Sequence, residues 1–115
     1  MPDETIVECS FLIPIRRDVN LSDGKDHEPE TWDKLNAEMF SRFGGRTIAP
    51  GVYSGAYRDP DTGLEVPDES VKYFIAIPET MFDQLRQLLV EACNLFQQKC
   101  IYLNIAGKVE FVVKP

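Results

Sequence analysis

Tyr53, Tyr57 and Arg58 precede a turn in this sequence, and Glu69 and Tyr73 follow it, so two adjacent strands of a hairpin can present all five side chains together. Phenol rings on a sheet surface offer flat area for stacking, each with a hydrogen-bonding tip. The same residues also fit plain cross-strand pairs, with Arg58 and Glu69 as an exposed ion pair of little energetic weight. The lone histidine, His27, has an ordinary pKa near neutrality and is the candidate acid or base. It lies in Asp18 to Pro29, a polar run that reads as an exposed loop, long enough to be a mobile surface loop or a binding lid.

Standard catalytic signatures are absent. No GxxxxGK[ST], no GxGxxG behind a strand, no HExxH and no GxSxG occurs, so no cofactor is expected. Cys9, Cys93 and Cys100 are an odd set with no CxxC or Cys/His spacing, which argues against zinc or any other metal and reads as buried thiols in a reducing compartment. Cys100 carries a second reading, a reactive thiol favoured by its neighbour Lys99. With 19 acidic and 12 basic residues the net charge is −7, so the overall field repels phosphate backbones and anionic membranes. Nucleic acid and membrane are therefore not expected as partners. No apolar run is long enough to span a bilayer, and Met1 to Thr5 is acidic where a secretory signal would be basic. A cytoplasmic protein is expected.

The elements that must position these residues follow from periodicity. Ile6 to Ile15 reads as a strand with Val7, Cys9, Phe11 and Ile13 alternating against Glu8, Ser10 and Leu12, and Pro14 ends or bulges it. Trp32, Leu35, Met39 and Phe43 mark a helix from Pro29 or Thr31, stopped by Gly44-Gly45. Arg46 to Tyr57 is a strand bent at Pro50-Gly51 and Gly55, and Asp59 to Gly63 is a turn into a strand from Ser70 to Ile77. Thr80 with Asp83 reads as a helix cap, followed by an apolar stripe of Leu85, Leu88, Leu89, Ala92 and Phe96 along about 18 residues, roughly 27 Å of helix. Ile101, Leu103 and Ile105 form the next strand, and Ala106-Gly107 turns into an extra one at Val109 to Val113.

The expected fold is thus one α+β domain over residues 1–115, a ferredoxin-like β-α-β-β-α-β sandwich with two helices on one face of an antiparallel sheet and an added C-terminal strand. The run Arg42-Phe43-Gly44-Gly45-Arg46-Thr47, then Gly51, Gly55, Tyr57, the Asp59 to Gly63 turn, Glu69-Ser70, Pro78, Phe96-Gln97-Gln98 and Val109-Glu110-Phe111 resembles a family of short bacterial proteins classed as a domain of unknown function. The resemblance spans roughly Phe40 to Val113, in glycine and core spacing, with Tyr57 where that family carries tryptophan. It implies the same α+β fold and supplies no catalytic residues.

One layer of helices leaves the second sheet face uncovered. The leading functional expectation is a non-catalytic binding or self-assembling module that uses this open face, as a homodimer. The alternative is a small cofactor-independent enzyme of the dimeric α+β type, with His27 or a tyrosine as acid or base on a small organic molecule. The ligand-binding candidates are Tyr53, Tyr57, Arg58, Glu69, Tyr73 and His27.

Overall fold

In the computed structural model, which describes residues 5–115, strand β1 (Ile6–Pro14) sends Cys9, Phe11 and Ile13 into the core from the middle of a six-stranded sheet. Its neighbours are β4 (Glu65–Pro78) on one side and β5 (Cys100–Ile105) on the other, both antiparallel. In register, Phe11 sits opposite Tyr73 and Leu103, and Cys9 opposite Ile75 and Ile105, so one face collects the apolar rows of three strands. Helices α1 (Pro29–Phe43) and α2 (Phe82–Leu95) cover that face, placing Leu35, Met39, Leu85, Leu88, Leu89, Ala92 and Cys93 in the same cluster. Strand β6 (Lys108–Val113) adds to the outer edge of β5 and buries Val112 beneath α2.

The far edge of β4 carries two short strands in succession, β2 (Thr47–Ile48) and β3 (Tyr53–Arg58). The bent strand expected over Arg46 to Tyr57 is therefore split, with the break at Pro50-Gly51. Strand β4 starts at Glu65, five residues ahead of the expected Ser70, because its first part pairs with β3 beyond the reach of the helices. All six residues of β3 are exposed. The turn that joins the pair is built by Asp59, whose Oδ1 accepts the Asp61 amide at 2.7 Å and the Thr62 amide at 3.3 Å.

Two ends follow sequence rules closely. Gly44 ends α1 at φ 82°, a left-handed conformation that favours glycine, with its amide on the Phe40 carbonyl. Ala106 and Gly107, at φ 50° and 91°, form the two-residue turn between β5 and β6. The start of α2 differs from expectation. Glu79–Met81 form a turn of 3₁₀ helix and α2 begins only at Phe82, giving 14 residues where about 18 were expected. Thr80 makes no capping bond, because the extended residue ahead of the turn is Pro78, which has no side-chain acceptor. Among the described residues no helix is long and apolar enough to cross a membrane. The acidic Met1 to Glu4 segment lies outside the described residues.

Candidate functional site on the open sheet face

Strand register decides which candidates can meet. In β4, Val71, Tyr73, Ile75 and Ile77 face the helices, while Asp68, Ser70, Lys72, Phe74 and Ala76 take the open face. Tyr53 pairs with Ser70 and Tyr57 with Val66, which puts both tyrosines on that open face, 43% and 51% exposed. Tyr73 does not join them. It is 1% exposed, stacks on Phe11 at 5.1 Å, and donates its hydroxyl to Asn36 Oδ1 on α1 at 2.8 Å. Burial pushes the Tyr73 phenol up to about 12. The reason is parity: Tyr73 alternates in phase with the apolar row that the helices cover, and a one-residue offset would be needed to expose it.

Arg58 and Glu69 do not pair. Register sets Arg58 against Glu65 and Glu69 against Ser54. Arg58 donates to the Gly63 carbonyl at 3.2 Å, and Glu69 accepts from Arg16 at 2.9 Å.

His27 is buried rather than free in a loop, at 8% exposure. Its Nε2 lies 2.8 Å from the Pro14 carbonyl, which fixes that nitrogen as the donor, and its ring meets Trp32 and Phe96 edge-on. Burial is the main cause that lowers its pKa, with Arg17 adding to it. This is a packed, satisfied histidine that ties the loop to β1. The loop is held elsewhere too, by Arg17 on Asp23 at 2.7 Å, by pairing of Arg16 with Asp26, and by the Asp18 amide on the Gln97 carbonyl at 3.0 Å. Gln98, buried, donates to the Arg16 carbonyl at 2.7 Å.

That anchoring brings Asp18 to one end of the open face. There the Tyr57 phenol and the Cys100 thiol lie within reach of the charges of Asp18 and Asp68. Partial burial raises the Tyr57 pKa, and the charges of Asp18 and Asp68 raise it further. Burial likewise raises the Asp68 carboxyl, offset by a hydrogen bond with Ser70. Cys100 is exposed, yet partial desolvation and the charges of Asp18 and Asp68 raise its pKa more than Lys99 lowers it. The thiol stays protonated near neutrality, which corrects the expectation of a Lys99-activated thiolate. Asp18, Asp68, Ser70 and Lys72 were missed in the sequence; the signal for the last three was their two-residue spacing in phase with Phe74.

The site is therefore a shallow, acidic, aromatic surface rather than a closed cavity. A cleft of about 420 Å³ lies elsewhere, between the outer sides of the helices, lined in part by Leu35, Leu88, Lys34 and Glu91 and bridged by Arg42 to Glu91 at 2.7 Å. Among the described residues no three His, Cys, Asp or Glu side chains gather as a metal site.

No family model matches the sequence, and neither does any curated protein. Among solved structures, the chain matches a phage SAM lyase in complex with S-methyl-5′-thioadenosine at a TM-score of 0.72, with 14% identity, over 98% of this chain and 93% of that one. It also matches a phage SAM lyase in the apo state at 0.64, with 16% identity, over 98% and 94%. At these identities the likeness shows a shared fold. Both neighbours are enzymes by name, and that finding overturns the leading expectation of a non-catalytic binding or self-assembling module.

Proposed function

We propose that this chain is a small cofactor-independent enzyme that cleaves a carbon–sulfur bond in a sulfonium nucleoside of the S-adenosylmethionine (SAM) class. One observation carries the reading: nearly the whole chain shares its architecture with a lyase that holds S-methyl-5′-thioadenosine, the thioether left when such a bond breaks. The surface described above supports it. The substrate is a cation, and a chain of net charge −7 attracts cations. Asp18 and Asp68 beside Tyr57 supply carboxylates and a ring face for a positive sulfur. When the carbon–sulfur bond breaks, its electron pair passes to sulfur and the thioether leaves neutral. The carbon it leaves takes an electron pair either from the neighbouring C–H bond, whose proton passes to a base, or from the substrate's own carboxylate oxygen. Charge is dispersed in the transition state, so half-buried aromatic surface favours it over the solvated cation.

The strand arrangement supports the ferredoxin-like assignment. With β2 and β3 taken as one interrupted strand and β6 as an addition, the order is β5-β1-β4-β2/β3. Three cysteines without a disulfide fit a reducing cytoplasm. Self-association as a homodimer is the further part of this reading. Phe111 and Val113 are each 62% exposed on the open face of β6, and a partner burying about 800 Å² there would remove them from water. Light scattering at micromolar concentration should give twice 13.1 kDa, and a monomer mass would remove the dimer.

Calorimetric titration tests the ligand assignment. Wild type should bind both SAM and S-methyl-5′-thioadenosine, and Asp68→Asn should weaken the cationic ligand more than the neutral one. Absence of binding to both would refute the assignment.

A further inference from the structure

Lys72 is a cation at the middle of the open face with no carboxylate on it. The ion pairs among the described residues are all made by arginines, Arg16, Arg17, Arg42 and Arg86, and Lys72, like the other lysines, makes none; what sets it apart is its place between two aromatic rings on the open face. Its Nζ is held by ring faces instead, 4.8 Å from the Phe74 centroid and 5.4 Å from that of Tyr53. Register places Leu12 directly beside it on β1, with Tyr102 next in the same row on β5. The lysine is half-buried, so its charge is less hydrated than that of a free surface lysine, and an incoming anion displaces less water from it. In a chain rich in carboxylates, a lysine kept among aromatic rings and away from acids remains open to an anion brought by a ligand.

We infer that Lys72 binds the carboxylate of the substrate, so that the site selects sulfonium nucleosides that carry an amino-acid tail. This rests on the reading of the substrate as a sulfonium nucleoside. Four residues of strand separate Lys72 from Asp68 on the same face, about 13 Å between their Cα atoms. The row thus has a positive pole at Lys72 and a negative pole at Asp68, with Ser70 buried between them and hydrogen-bonded with Asp68, and with Tyr53 and Tyr57 beside it on β3. A substrate whose carboxylate is at one end and whose sulfonium is nearer its middle matches that order of charge. Its carboxylate lies on Lys72 and its sulfur toward Asp68 and Tyr57. The lysine is a specificity determinant: it orients the tail and takes no part in breaking the bond.

The test compares SAM with its decarboxylated analogue, which keeps the sulfonium and the ammonium but lacks the carboxylate. Each is titrated calorimetrically into wild type, Lys72→Gln and Lys72→Arg, with thermal unfolding of each variant as a check on folding. Wild type should bind SAM about ten- to a hundredfold more tightly than the analogue, the range of a charge-assisted hydrogen bond. Lys72→Gln should lose that preference by weakening SAM alone, and Lys72→Arg should recover most of it. A merely structural role would weaken both ligands together. If wild type binds both ligands and Lys72→Gln keeps the preference or lowers both equally, the carboxylate role is overturned while the sulfonium reading stands. If wild type binds neither, the sulfonium reading fails and the inference falls with it.

Discussion

Replacing Tyr73 with Phe removes one hydroxyl from the interface between β4 and α1 and separates two effects by pH. Near pH 8 the variant loses the hydrogen bond to Asn36, a net cost of about 1 kcal/mol, since Asn36 is half-buried and can turn to water. At high pH ionisation of the phenol matters more. Burial raises the phenol from its ordinary 10.0 to about 12, so above pH 10 the unfolded chain releases a proton that the folded chain retains. Stability therefore falls as pH rises between those values, by 1.36 kcal/mol for each factor of ten in the difference, about 2 kcal/mol by pH 11.5. Urea denaturation of wild type and Tyr73→Phe at pH 8 and pH 11.5 measures it. Wild type should lose about 2 kcal/mol more than the variant over that interval. Parallel losses would mean that Tyr73 is solvated, and that β4 turns the opposite face to the helices.

Leu88 belongs to the stripe that α2 buries, at 3% exposure, and Leu88→Ala should cost about 2–5 kcal/mol in chemical denaturation, toward the lower end because the residue borders the cleft between the helices; a loss under about 0.5 kcal/mol would place the stripe elsewhere. Thiol titration should find three free thiols on unfolding and one accessible thiol, Cys100, in the native state, reacting more slowly than a free thiol because its pKa is raised, while Cys9 and Cys93 are buried and Cys93 is pushed up to about 11. Two reductant-sensitive thiols would contradict this. His27 has its pKa lowered from 6.5, chiefly by burial, so the folded state favours the neutral ring. Its contribution is present above 6.5 and is lost as pH falls from there toward the lower folded value. Thermal unfolding at pH 7.5 and pH 5 should show a drop for wild type that His27→Gln lacks, and equal drops would remove the histidine from the account.

Where a core lies behind a segment, its pattern was legible. Cys9, Phe11 and Ile13 alternate because one face of β1 is buried, and the leucines of α2 recur at helical spacing for the same reason. The turns at Gly44, Ala106-Gly107 and Asp59 to Gly63 were legible from local backbone chemistry. The start of β4 was not, because Glu65 to Glu69 pairs only with the exposed β3 and no core imposes alternation on it. Tyr73 and Tyr53 look alike in sequence, and what separates them is the register that turns one toward Asn36 and the other toward Lys72. His27 reads as a loop residue by composition. Its burial depends on Pro14, Trp32 and Phe96, which are brought together only by the tertiary fold.

Incubation of the purified wild-type chain with SAM, followed by chromatography and mass spectrometry for S-methyl-5′-thioadenosine, tests the central claim most directly. The account predicts release of that thioether in proportion to enzyme concentration, without added metal or cofactor, and reduced at least tenfold by Asp68→Asn under conditions where the variant remains folded. Substrate recovered intact, at the rate of its spontaneous breakdown, would contradict it.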